Sequence, residues 1–261
     1  MIDIHAHIIP NVDDGSNSVT CTRSQVYSEK GDGVTAVFAT PHSEDFLRDP
    51  QRARTKFQNM KDALGAYMDF YLGCEVLCTR EAMPGILEAL DDGTLPTMNG
   101  TRYVLTEFSP HDTLENTKYC LNSLWADGWI PIIAHAERYP FLDPERDVSA
   151  LTEKGFLIQV NVYALEEYVD PRDLPVRERA RALVKNRQVS FLGTDTHTMY
   201  FRPPSIEQGM LWLRENCEQR YLDAICQDNA KRLLLSRRVT DDFSDLLRDM
   251  YAEDHILDGL R

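Results

Sequence analysis

No stretch of this sequence approaches the ~20 consecutive apolar residues that a membrane-spanning helix needs, so insertion in a bilayer is not expected. The first apolar run, Met1–Ile4, is short and already broken by Asp3. A secretory leader is therefore not expected, and a cytoplasmic location is. Positive charge is scarce as well: 28 Lys+Arg stand against 42 Asp+Glu, a formal net charge of −14. Without a concentrated basic patch, such a chain repels nucleic acid and anionic membrane surfaces. The six cysteines, Cys21, Cys74, Cys78, Cys120, Cys217 and Cys226, are scattered along the chain. Only Cys74 and Cys78 are near neighbours, and a zinc knuckle would need a second pair that is missing. Reduced thiols are expected. There is no internal repeat, no low-complexity tract and no Gly/Ser linker.

What is present is enough apolar material, 43% of 261 residues, for one large core. Short apolar runs recur at Met1–Ile4, Thr35–Ala39, Phe70–Leu72, Tyr103–Leu105, Ile130–Ala134, Phe156–Val160 and Val189–Leu192. Between them lie stretches of helical period, near Val19–Lys30, Arg52–Tyr67, Arg80–Leu90, Glu115–Asp127, Val148–Lys154, Arg177–Lys185 and Ile206–Asn216. Gly31, Gly33, Gly128 and Gly155 follow helical stretches, where a left-handed cap is commonly required. Strands alternating with helices imply a parallel sheet with right-handed crossovers. Seven units suggest an α/β barrel one unit short of eight, with an open doubly wound sheet as the alternative. Residues 1–238 read as one domain. The acidic remainder, 239–261, has apolar spacing at Phe243, Leu246, Leu247 and Met250 and reads as an amphipathic helical extension.

The chemistry lies just after the apolar runs. His5-Ala6-His7 follows the first, Thr40-Pro41-His42 the second, Gly73-Cys74-Glu75 the third and Thr106-Glu107 the fourth. The fifth leads to His135, the sixth to Asn161 and the seventh to Thr194-Asp195-Thr196-His197. In a parallel barrel these positions share one rim, at the carboxyl ends of the strands. A single histidine there is most simply a core or loop residue. Five of the chain's seven histidines on one rim, with carboxylates between them, crowd like charges and unpaired polar groups unless a cation is bound. His5 and His7 share a side because strand side chains repeat every second residue, and Asp195 and His197 do too if their strand continues. A mixed nitrogen and oxygen set suits zinc, manganese or iron better than calcium or magnesium. In the turn Asn11-Val12-Asp13-Asp14-Gly15 either aspartate can serve as a ligand, and Asp13 reads as a turn cap. Arg138 and Arg202 follow the ligand-type residues and suit a substrate oxyanion held bidentately.

The phrases Asp3-Ile4-His5-Ala6-His7, Val12-Asp13-Asp14-Gly15, Thr40-Pro41-His42, Thr106-Glu107-Phe108-Ser109, Ala134-His135-Ala136-Glu137-Arg138-Tyr139 and Arg202-Pro203-Pro204 resemble the polymerase-and-histidinol-phosphatase (PHP) superfamily. They are most similar to its bacterial tyrosine-phosphatase branch, associated with capsular and exopolysaccharide biosynthesis. The resemblance runs from Met1 to about Leu235, with Asp228-Asn229-Ala230-Lys231-Arg232 as its closing helix. It implies a distorted seven-stranded barrel holding three divalent ions, often manganese. The implied ligands are His5, His7, Glu75 and Asp195 for the first ion. Glu75 as a bridge, with Glu107 and His135, would hold the second, and Asp14, His42 and His197 the third.

The implied reaction is hydrolysis of a protein phosphotyrosine by a metal-bridging hydroxide. Arg138 and Arg202 would stabilise the transferring group, and His42 is a ligand histidine that can also serve catalysis. The implied partner is the phosphotyrosine-bearing tail of a bacterial tyrosine kinase that controls polysaccharide export. Cysteine chemistry is the competing motif, because Cys74 and Arg80 have the Cys-five-Arg spacing. Cys226 and Arg232 have it too, and Glu75-Val76-Leu77-Cys78-Thr79 offers no glycine to cradle phosphate. A small-molecule phosphatase such as a histidinol-phosphate phosphatase is the alternative within the metal class. A metal-stabilised binding module without turnover and a polymerase proofreading module stand further off.

Overall fold

A computed structural model describes residues 1–239, so the expected extension over 239–261 falls almost entirely outside the described residues. Among the described residues eight strands run in chain order: β1 (Ile2–Ala6), β2 (Ala36–Ala39), β3 (Asp69–Leu72), β4 (Glu75–Leu77), β5 (Tyr103–Glu107), β6 (Ile130–Ile133), β7 (Leu157–Asn161) and β8 (Phe191–Gly193). All pairings are parallel, β1-β2-β3 in one sheet and β4-β5-β6-β7-β8 in the other. Two residues, Gly73 and Cys74, separate β3 from β4, and the pair fills one position in the ring. Gly73 N donates to Ala39 O at 2.9 Å and Glu75 N to Pro41 O at 3.1 Å, so the bent strand follows β2 through the break. At the other seam Asp195 N donates to His5 O at 2.7 Å and His7 N to Thr196 O at 2.9 Å, which joins the continuation of β8 to β1. The result is a distorted seven-position α/β barrel in one domain.

Two apolar layers follow from strand alternation. Ile2, Ile4, Phe38, Leu105, Ile132, Leu157 and Phe191 fill the barrel interior. Val37, Phe70, Val76, Val104, Ile133, Ile158 and Leu192 face outward onto helix residues such as Val26, Phe57, Leu121 and Leu183. The helices begin where capping chemistry permits: Ser18 accepts from Cys21 N at the start of Val19–Gly31, and Thr113 accepts from Asn116 N at the start of Leu114–Ala126. Gly33, Gly128 and Gly155 have positive φ, as their place after helices predicts, whereas Gly31 is still helical. The short helices Ser43–Arg48 and Gln219–Asp223 and the strand β4 are not foreseen from sequence, because each is too short to show a period.

One irregularity matters for the site. The β1–β2 register shifts between Asp3 and Ala6, where two residues of β1 have no direct partner on β2. In a regular strand Ile2 and Ile4 would share one face, and His5 and His7 would share the opposite one. The bulge resets that alternation: Ile2 and Ile4 lie in the interior, Ala6 packs outward, and His5 and His7 turn into the barrel mouth.

Candidate metal centre

The five rim histidines meet at the mouth. His5 Nε2 and His7 Nε2 are 3.2 Å apart and face the Glu75 carboxylate at 3.3 Å each. Asp195 Oδ1 lies 3.7 Å from His5 Nε2 and 3.4 Å from His7 Nε2. His135 Nε2 reaches Glu75 Oε1 at 2.8 Å and Glu107 Oε1 at 3.6 Å. Asp14 Oδ1 is 3.3 Å from His42 Nε2 and 3.4 Å from His197 Nε2, while His42 Nδ1 is 3.1 Å from Glu75 Oε2. Donor atoms close enough to share one ion fall into the sets His7-Asp14-His42-His197, His5-His7-Glu75 and His42-Glu75-Glu107. Seven of the nine expected ligands fall in these sets, His7, His42 and Glu75 each in two, while His135 and Asp195 border them through their contacts with Glu75, His5 and His7. His111 is exposed in the loop after β5 and does not join them, and His255 lies outside the described residues.

Whether these residues fit metal is decided by the far side of each ring. His7 Nδ1 is held by Asp13 Oδ2 at 2.7 Å, His5 Nδ1 by Gln159 Oε1 at 3.1 Å and His197 Nδ1 by the Asp195 carbonyl at 2.9 Å. An acceptor at Nδ1 fixes the proton there and leaves the Nε2 lone pair aimed inward, the tautomer a cation requires. Two rings lack this support: His135 Nδ1 is buried and unpartnered, and His42 turns both nitrogens toward ligand carboxylates, Nδ1 to Glu75 and Nε2 to Asp14. Asp13 also accepts from Gly15 N at 3.0 Å, so it is the expected turn cap and the support of His7 as well. Gln159 and Asn161 extend this support. Gln159 Nε2 donates to Asn161 Oδ1 at 2.8 Å, and Asn161 Nδ2 donates to Asp195 Oδ2 at 3.2 Å. Their legible signal is a pair of alternating amides at inward positions of an otherwise apolar strand.

The electrostatics show what a cation would relieve. Burial opposes charge on His7, but the carboxylates of Asp13, Asp195 and Glu75 together outweigh it and hold the imidazole well above its usual pKa. Burial likewise opposes charge on His42, and Glu75 and Glu107 carry it up to about 9. Burial, together with the charge on Glu75, lifts Glu107 to about 7. His135 falls to about 4 through burial and the charge of Arg138. Glu75, although buried, stays well below the usual carboxylate range because His5, His135 and His42 surround it. Protons on His7 and His42 thus balance a carboxylate cluster whose other natural counterion is a metal.

Backbone strain is concentrated here. His135 (φ 32°), Asp195 (φ 51°) and Arg202 (φ 49°) adopt left-handed conformations that are uncommon outside glycine. This corrects the expectation that a continuing strand aligns Asp195 with His197: β8 ends at Gly193 and the chain turns at Asp195. Both expected arginines converge on this carboxylate, Arg138 Nη2 at 2.6 Å and Arg202 Nη1 at 3.2 Å from Asp195 Oδ2. Tyr163 OH, 3.1 Å from Arg138 Nε, braces the first from behind, a role not visible in sequence. Cysteine chemistry finds no support. Cys74 is buried, and desolvation pushes its thiol well above the ordinary value. Desolvation lifts Cys226 to about 11.

The profile of the family described as "Capsular polysaccharide synthesis, CpsB/CapC" matches residues 1–235. The chain belongs to the CpsB/CapC family. Among its relatives is the tyrosine-protein phosphatase CpsB of Streptococcus pneumoniae, 26% identical over 92% of this chain and 100% of that protein. The putative tyrosine-protein phosphatase CapC of Staphylococcus aureus is 27% identical over 80% of this chain and 81% of its own length. A solved structure from the pair YwqE of Bacillus subtilis and CpsB of Streptococcus pneumoniae, described as metal-dependent tyrosine phosphatases, shares the fold. Its TM-score is 0.79 at 23% identity, covering 92% of this chain and 96% of that one. All nine ligand-type residues of this CpsB/CapC chain lie within the matched span. No helix among the described residues is long and apolar enough to cross a membrane.

Proposed function

We propose that the protein is a metal-dependent phosphatase that hydrolyses phosphotyrosine on a protein substrate. One observation carries the reading: five imidazoles and four carboxylates converge at one mouth, with two guanidinium groups against them. We assign three divalent ions to the ligand sets, with manganese the first choice and iron or zinc the alternatives. When bound, such ions supply a hydroxide at neutral pH and offset the charge on the phosphoryl oxygens. The protein's own groups do the rest. Arg138 and Arg202 bind the phosphoryl oxygens and hold the phosphorus in line. His42 is the most exposed of the five histidines, 27% against 3% or less for the others, and holding an ion through one ring nitrogen only would leave the other able to carry the proton for the leaving oxygen. A phenolate, with a pKa near ~10, leaves more readily than an alkoxide and demands less of that acid. By family resemblance, the substrate is the tyrosine-rich tail of a bacterial kinase that controls polysaccharide export.

The test is phosphate release from a phosphotyrosine peptide, with and without chelator and added Mn, for wild type and for His5→Ala/His7→Ala. Activity that needs metal and both histidines is expected. Activity that survives chelation, or a tenfold preference for histidinol phosphate, would overturn the assignment.

A further inference from the structure

The ligands and the two arginines recognise a phosphoryl group, which is the same in every phosphomonoester. Discrimination between an aromatic and an aliphatic ester requires a contact beyond phosphorus, where the ester's own carbon atoms lie. Phe201 borders the arginine and histidine end of the site. It is 58% exposed, yet its ring is 5.8 Å from the His197 ring in an edge-on arrangement (84°). The Arg202 guanidinium lies 5.0 Å from its centroid on the way to Asp195. Arg202 and His197 tie the ring directly to the phosphate end of the mouth.

The exposure is imposed by the backbone. Thr198 Oγ1 accepts from Phe201 N at 2.9 Å and from Tyr200 N at 3.3 Å, Thr198 N donates to Phe201 O at 2.9 Å, and His197 N donates to Arg202 O at 3.2 Å. A turn tied this closely, with Arg202 in the left-handed region, holds a large apolar ring in water. Burying that surface against a second ring would relieve the exposure, and paired aromatic rings at 4.5–7 Å attract beyond simple area burial, by up to about the amount that separates tenfold affinities. Asp14, which also abuts His197, is 67% exposed and presents a carboxylate, which offers nothing to an apolar leaving group.

We infer that Phe201 is a specificity-determining platform: its ring packs against the aromatic ring of a phenyl phosphate ester whose phosphoryl group sits on Arg202 and the metal ligands. The inference rests on the phosphatase reading for the identity of the site, and its test does not need turnover.

The probes are phenylphosphonate and methylphosphonate, titrated calorimetrically into the Mn-loaded full-length protein. Wild type is expected to bind the phenyl compound about tenfold more tightly. In Phe201→Ala and Phe201→Leu the ratio should fall to near one, and in Phe201→Trp it should persist. Equal affinities in wild type, or a preference that survives in both Phe201→Ala and Phe201→Leu, would overturn the platform. Hydrolysis is measured separately. A phenyl preference that depends on Phe201, in a protein that releases phosphate from no ester, would sustain the platform and sink the phosphatase reading.

Discussion

Among single residues, Asp13 best separates support from ligation. Its carboxylate grips His7 Nδ1 at 2.7 Å while its other oxygen caps the turn at Gly15. Asp13→Asn keeps the size and a hydrogen-bonding group but removes the charge that favours the ligating tautomer. We expect a roughly tenfold to hundredfold loss of metal affinity with the fold retained, measured by metal titration against circular dichroism. An unchanged affinity would reduce Asp13 to a turn cap. His42 supplies a pH test in the metal-free protein. Its folded pKa of about 9 lies above the ordinary histidine value of 6.5. The protonated ring therefore contributes stability that is complete below pH ~6.5 and lost as pH rises through about 9. Urea titrations of wild type and His42→Gln should show an advantage for wild type that shrinks over that window. A constant difference across it would mean that His42 is not charged in the metal-free fold.

Among the elements, the end of β8 packs directly against the ligand His5. A Cβ on Gly193 would lie 2.8 Å from the His5 Cβ and 2.9 Å from Gln159 Nε2, so neither neighbour can stay in place. Gly193→Ala should cost about 1–3 kcal/mol of stability by overpacking and weaken metal binding through the displaced His5. Gly85, in the helix Met83–Asp91, meets nothing within 4 Å. Gly85→Ala should instead raise stability by roughly 0.5–1 kcal/mol from helix propensity, with metal affinity unchanged. Thermal melts of the two variants, apo and loaded, check both signs. The bulge in β1 belongs to the same scale. Alternation correctly puts His5 and His7 on one side, but which side is decided by pairing with β2. Likewise Asp195 reaches the site through a strained turn, because Arg138 and Arg202 anchor its carboxylate.

At the scale of the whole molecule, the ions and the fold are linked. The ligands come from seven separated segments between His5 and His197, so binding ties together both sheets and both seams. Each site filled at a hundred times its dissociation constant should add about 2.7 kcal/mol, and the melting temperature should rise with Mn and fall with chelator. A melting temperature indifferent to both would argue against structural coupling. The ligand-type residues end at His197 and the family match at residue 235. A chain ending at residue 239 is therefore expected to retain phosphate release and metal affinity. Loss of either on truncation would assign residues 240–261 to the working unit.

Much of this protein was determined by its sequence alone. Parallel α/β organisation followed from apolar runs alternating with helical periods, since both signals are local. The ligand types followed from what stands after each run, because strand ends of a parallel barrel share a rim. What only the tertiary structure decided depends on distant segments. The bulge that turns His5 and His7 inward needs β2. The anchoring of Nδ1 atoms by Asp13 and Gln159, the convergence of two arginines on Asp195 and the bracing by Tyr163 need side chains up to 154 residues apart in contact. Periodicity reports which residues are apolar neighbours along the chain, whereas tautomer, charge state and reach are set by neighbours in space.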